Sequence, residues 1–304
     1  MSPLGIFFSR VALGDAPRSM AIWTLTFTAL WLSPAGLWLS HTRAQIISPS
    51  TVRQWPFKEE MDSFVIQSDF QLPDPENLKA ILFQLRNDVE QMFSLPPASG
   101  VVHIVLFGTE REYRRYMQYY FPAVEPRRAI FLQDRGPGML FAYWHEQIRT
   151  DLRHEVTHAL LNRAGLRPPI WLDEGLAEYF EVASESRFSG SEYLPEIIER
   201  AEKGLVPALS QLELIQNMED FKESHYRDSW AWVHLLLHRR PETRQVLVDY
   251  VTELRKHTNL KPLHLRLSHI LVDPKREFQD HFLALKEIVN PVMQPSSIDT
   301  AVVP

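Results

Sequence analysis

Between residues 76 and 93 the apolar side chains Leu78, Ile81, Leu82, Leu85, Val89 and Met92 recur at three- and four-residue steps. That period predicts a helix with one stripe facing a core. The segments on either side have a different rhythm. Residues 64–70 mix aromatic and β-branched side chains and are stopped by Pro73 and Pro75, and residues 101–107 form an almost unbroken apolar run, so both read as strands. Thr109 stands where a helix through Tyr113, Met117 and Tyr120 needs a cap. Two more strands, 129–133 and 139–144, lead into a helix that starts near Glu146 or Thr150, ends at Arg163 and is stopped by Gly165.

Pro168 and Pro169 forbid continuation of that helix, and a second one follows over 171–180 with Leu172, Leu176, Tyr179 and Phe180 apolar. After a polar stretch at 184–190, helical periodicity returns over 195–203, 229–239, 242–257 and 274–288. The elements therefore predict an α+β chain: a small N-terminal α/β subdomain over 45–145, whose first residues to about 62 read as a linker, and a mainly helical subdomain over 146–290. Residues 291–304 are rich in Pro and Ser and poor in apolar side chains, which predicts a disordered tail.

Composition narrows the function classes. The chain has 304 residues, 45% of them hydrophobic and 23% charged, as a globular protein with a real core requires. The net charge of -6 offers no basic footprint for nucleic acid. With no cysteine, disulfides, thiolate metal ligands and a cysteine nucleophile are excluded. Arg10 and Arg18 precede residues 19–40, which carry no charge and are rich in Leu, Trp and Phe. Residues 1–44 are thus expected to export the chain, as a signal cleaved after Ala44 or as a retained membrane anchor.

The chemistry concentrates in His154-Glu155-Val156-Thr157-His158. On a helix, residues four apart stand one above the other, so both imidazoles can reach a single zinc ion, and Glu155 is placed to act as general base on a zinc-bound water. Leu152, Val156, Ala159 and Leu160 form the buried stripe, leaving the histidines on a flank that faces a cleft. A catalytic zinc site takes a third protein ligand. Glu174, sixteen positions beyond His158 on the next helix, is the candidate. Glu178, one turn further, is the first choice to hold a ligating imidazole through its second nitrogen, with Asp173 and Glu181 as rivals. The strand at 139–144 is a candidate edge for pairing with an extended peptide.

The histidine motif together with Trp171-Leu172-Asp173-Glu174-Gly175-Leu176-Ala177-Glu178-Tyr179 resembles the gluzincin metallopeptidases, especially the bacterial peptidase-MA-like families of poorly defined function. The second segment is similar to the Trp-Leu-Asn-Glu-Gly signature of zinc aminopeptidases, in which the Glu before Gly is the third ligand. The chain lacks their Gly-x-Met-Glu-Asn motif, so aminopeptidase specificity is not implied. The resemblance implies a zincin-like fold, a Zn2+ cofactor held by His154, His158 and Glu174, and a peptide or protein substrate. It also implies a Tyr or His from a later helix that stabilises the oxyanion. In His225-Tyr226-Arg227-Asp228-Ser229-Trp230-Ala231-Trp232, Tyr226 is the first candidate and His225 the second, while His234 and the remaining histidines read as packing or surface residues.

Overall fold

The computed structural model describes residues 55–96, 100–125, 127–133, 138–256 and 260–289. The export segment and the C-terminal tail expected from the sequence lie outside these residues. Among the described residues five strands and ten α-helices follow in the order β1 (Phe57–Met61), β2 (Phe64–Ser68), α1 (Pro75–Met92), β3 (Val102–Phe107), α2 (Glu110–Tyr120), β4 (Ala129–Leu132), β5 (Met139–Tyr143), α3 (Ile148–Arg163), α4 (Ile170–Glu181), α5 (Leu194–Glu202), α6 (Leu209–Leu212), α7 (Glu223–His238), α8 (Pro241–Leu254), α9 (Leu263–Leu267) and α10 (Pro274–Val289). The protein is α+β, with a small mixed sheet followed by helices.

The sheet order is β1-β2-β3-β5-β4, with β2, β3 and β5 parallel and both outer strands antiparallel to their neighbours. Because side chains alternate across a strand, each strand serves two cores. Ile104, Leu106, Leu140 and Ala142 join the large core with α1 and α3, while Val105, Phe107 and Phe141 pack with Tyr113 and Met117 of α2. The large cluster runs on from the sheet into the helices as far as Leu285.

Four expectations change. The presumed linker contains β1, whose sequence Phe-Lys-Glu-Glu-Met is mostly exposed and so carries no apolar alternation to betray a strand. The strand at 139–144 is not an edge: β5 lies between β3 and β4, and the edges are β1 and β4. Helix α7 begins at Glu223, six residues before the predicted start, because His225 accepts a hydrogen bond from the Lys222 backbone N–H at 2.9 Å and closes the first turn. Helix α3 is buried on every face along residues 154–161, so its histidines do not look onto open solvent.

Local chemistry sets the helix ends. Thr109 Oγ1 accepts from the Glu112 N–H at 3.3 Å, as a capping threonine does. Gly165, at φ +78°, takes the left-handed conformation that ends α3. Helix α4 packs most extensively against α7, and Gly175 is the reason the two backbones approach. A Cβ on Gly175 would sit 2.8 Å from the Ser229 carbonyl oxygen, which is backbone and cannot swing aside.

The second notable device is a buried histidine cluster behind the same helix. His234 Nε2 lies 2.9 Å from the Phe188 carbonyl oxygen, which only accepts, so Nε2 carries the hydrogen. His234 Nδ1 then accepts from His281 Nε2 at 2.9 Å, and His238 Nε2 meets the Tyr179 hydroxyl at 2.8 Å. Burial lowers His238 to about 4 and His281 to about 3, with Arg244 beside the first and Arg239 beside the second adding to the effect. All three are held neutral.

Two outcomes follow for stability. Gly175→Ala should cost about 1–3 kcal/mol, the usual penalty for overpacking, read from urea unfolding. Lowering the pH should also destabilise the fold. Above the unfolded histidine value of 6.5 both states are neutral; below it the unfolded chain takes up protons first, so stability falls from about pH 6.5 down to about 4. Urea midpoints at pH 7 and pH 5 should differ, and His238→Gln should reduce that difference.

Candidate metal centre

Helix α3 delivers two imidazoles and helix α4 a carboxylate to one point. His154 Nε2 lies 3.6 Å and His158 Nε2 3.7 Å from Glu174 Oε2. These gaps are too long for hydrogen bonds. They are close to the about 3.4 Å that separates donors each about 2.1 Å from a tetrahedral zinc. The three residues form a buried group able to hold a metal ion, with Glu174 0% exposed. His154 Nε2 and both carboxylate oxygens of Glu174 are shielded from water and make no hydrogen bond among the described residues. Buried polar atoms are ordinarily satisfied. Two nitrogens and an oxygen turned inward, without thiolate, suit zinc and other borderline divalent ions.

Electrostatics tell the same story. Burial drives Glu174 up to about 8, although the neighbouring His154 works against it. For His154, burial favours the neutral ring, but Glu174 and Glu178 outweigh it and hold the value above 6.5. A divalent cation reverses this logic, since it binds the deprotonated carboxylate and the neutral rings.

The second nitrogens of the two rings are also provided for, differently from expectation. His154 Nδ1 is 3.1 Å from Glu181 Oε2, a hydrogen bond, whereas Glu178 Oε1 stands 3.9 Å away. His158 Nδ1 lies 3.3 Å from Asp173 Oδ1. The two rivals thus sit nearer the rings than Glu178, whose pKa burial pushes well up and which shares its surroundings with Tyr193. Spacing contained the signal: Glu181 is two turns after Glu174, on the same face of α4.

Glu155 is held from the sheet. The Phe131 N–H of β4 donates to Glu155 Oε2 at 2.8 Å. Arg128 pairs with Tyr143 through the Tyr143 N–H, so Ala129 and Phe131, one and three places on, turn their backbone groups to the open side of β4. The general-base candidate therefore faces the side of β4 that pairs with no strand among the described residues.

Tyr226 and His225 separate clearly. Tyr226 is buried one turn before Ser229, whose backbone lies close against Gly175 beside Glu174, and its ring meets Phe221 edge-on at 4.7 Å. His225 is spent on the N-terminal cap of α7 and meets Phe221 edge-on. His234 is a packing residue in the histidine cluster. One site neighbour was missed from sequence: Arg127 is buried, and its charge is felt by Tyr226, Glu155 and Glu174. Preceding Arg128 in an exposed-looking Glu-Pro-Arg-Arg run, it gave no signal. Among the described residues, no helix is long and apolar enough to cross a membrane.

No family model matches the chain, and no curated protein matches it either. What the site does must be read from its own groups.

The purified protein should bind one divalent ion per chain, measured by elemental analysis, and His154→Ala or Glu174→Ala should abolish it. Because the ion must displace the proton that burial holds on Glu174 up to about 8, affinity should weaken as pH falls below 8. Calorimetry in buffers of different ionisation enthalpy should detect the released proton.

Proposed function

We propose that the protein is a zinc-dependent peptidase of gluzincin type with a zincin-like fold, hydrolysing peptide bonds in an exported compartment. The observation that supports this most is the convergence of His154, His158 and Glu174 in one buried group, with Glu155 between the two histidines and bonded to the edge strand. A zinc ion held by these three side chains would polarise the scissile carbonyl and make a water easier to deprotonate.

The chain's own residues do the rest. Glu155 takes the proton from the attacking water and returns it to the leaving amine, a task that needs a carboxylate oriented in advance. The Phe131 N–H supplies that orientation. Glu181 fixes the His154 ring so that Nε2 points to the metal position, and Asp173 stands at the corresponding nitrogen of His158. Tyr226, buried at the start of α7, presents an O–H to the carbonyl oxygen as negative charge develops there. An extended substrate would pair with β4, through the outward groups of Ala129 and the Phe131 carbonyl. A peptide or protein substrate and a Zn2+ cofactor belong to this reading, as does the export or anchoring role of residues 1–44.

A catalytically silent metal- or peptide-binding protein of the same fold is the second reading. The observation in its favour is that Glu155 Oε2 is already engaged by Phe131, as a purely structural carboxylate would be. Glu155→Gln decides between them. On the peptidase reading this variant keeps its metal and loses about 10²–10⁴-fold in turnover of a peptide library. No cleavage by either with metal fully bound would leave the silent reading, and equal cleavage by both would overturn the role given to Glu155. Tyr226→Phe should lower kcat by about 10²-fold with metal content unchanged.

A further inference from the structure

Strand β4 and helix α3 are tied together at two points. At the site, the Phe131 N–H donates to Glu155 Oε2 at 2.8 Å. The other tie lies one helical turn back. There Arg128, just before β4, donates from Nη2 to Asp151 Oδ1 at 2.9 Å, and its Nη1 bonds the Gln147 side chain just before α3. Asp151 and Glu155 are four residues apart and so share one face of α3, the face turned to β4.

A third side chain closes the group. His145, between β5 and α3, accepts at Nδ1 from the Gln147 N–H at 3.2 Å, which leaves the hydrogen of the neutral ring on Nε2. Burial and the Arg128 charge lower His145 and keep that ring neutral. Its Nε2 comes within 3.1 Å of Asp151 Oδ2, so each oxygen of the carboxylate faces a donor. Stability does not explain why a carboxylate stands there. Burial raises Asp151 to about 6, with Arg128 working against the rise. An acid raised from 3.8 to about 6 favours the folded state while protonated, and that contribution is lost as the pH climbs through this range. At pH 7 the charged group therefore costs stability relative to a neutral side chain of the same shape.

We propose that Arg128 and Asp151 are positioning residues, whose ion pair sets the place of β4 on α3 and thereby holds the Phe131 N–H on Glu155. The catalytic consequence rests on the peptidase reading above. A substrate strand added to β4 travels with β4, so a loosened β4 would still take up peptide but would deliver the scissile bond out of register with Glu155 and the metal donors. Misplacement by about 1 Å costs up to about 100-fold in rate. The competing role is for Arg128, partly exposed beside Ala129, to bind an acidic side chain of the substrate directly. That role would need the arginine and not Asp151.

The experiment compares the full zinc-loaded chain with Arg128→Gln, Asp151→Ala, Asp151→Asn, and Arg128→Gln combined with Asp151→Ala. Arg128→Gln and Asp151→Ala should each lower kcat by about 10-fold to 100-fold with KM within about threefold. The combined variant should be no worse than the poorer single one, because the two side chains act as a unit. Asp151→Asn keeps an acceptor for the guanidinium and should recover most of the loss, with a urea midpoint at pH 7 no lower than the parent's. A rise in KM for Arg128→Gln that Asp151→Ala does not share would overturn the proposal in favour of substrate contact. Losses that multiply in the combined variant would overturn it too.

A readout free of turnover separates this proposal from the peptidase reading. Hydrogen exchange at the Phe131 amide, followed by NMR, should speed up by about tenfold or more in Arg128→Gln and Asp151→Ala, while Ile104 and Leu106 of β3, the middle strand, keep the parent's rates. If the parent cleaves no peptide but Phe131 exchange still depends on the pair, the peptidase reading fails and the positioning of β4 stands. If the parent cleaves and either kcat or Phe131 exchange fails to respond, the positioning assignment fails alone.

Discussion

The structure depends on the burial of a polar helix. Helix α3 places His154, Glu155, Thr157 and His158 inside the protein, and each must find a partner there or cost about 1–3 kcal/mol in desolvation. Thr157 bonds back to the Arg153 carbonyl at 2.8 Å, Glu155 takes the Phe131 N–H, and His154 Nδ1 takes Glu181. What remains points to one spot, where Glu174 also arrives. The sheet supplies one wall of this arrangement and α4 the other. The chain's architecture is in that sense a set of supports for groups that would otherwise be misplaced in a core.

Gly175 and Ser229 translate that requirement into helix packing. Because α4 has no side chain at its contact with the α7 backbone, the two helices close on each other beside Glu174. The buried His234–His281 pair then ties the far side of α7 to α10 and to the loop after α4. Cohesion behind the site and geometry in front of it share one helix.

Much of this was legible in the residues. Leu78 to Val89 declared α1 by period, and the strands of residues 102–107 and 139–143 declared themselves by apolar runs. His154 and His158 were named from helical spacing and Glu174 from its place on the next helix in a Glu-Gly segment, and the three come together in one buried group. Strand order was not legible, since an apolar run says that a strand is buried but not which neighbour it has; so β5 was taken for the edge that β4 occupies. Strand β1 hid behind its charges. The choice of Glu178 missed because Glu178 and Glu181 both share the helix face of Glu174, and the period admits either; in the structure Glu181 stands 3.1 Å and Glu178 3.9 Å from His154 Nδ1. Arg127 was invisible because a buried arginine and an exposed one look alike in a sequence.

The two ends of the sheet carry a consequence for self-association. Unpaired strand edges invite chains to stack on one another. At β1 the exposed run of Lys58 and Glu60 makes a neighbour's strand unwelcome. At β4 the same role falls to α3, whose Glu155 occupies the outward N–H of Phe131. The carboxylate proposed to move a proton thus also withdraws one outward N–H of β4 from pairing with a second copy, and leaves only the groups of Ala129 and the Phe131 carbonyl to an added strand.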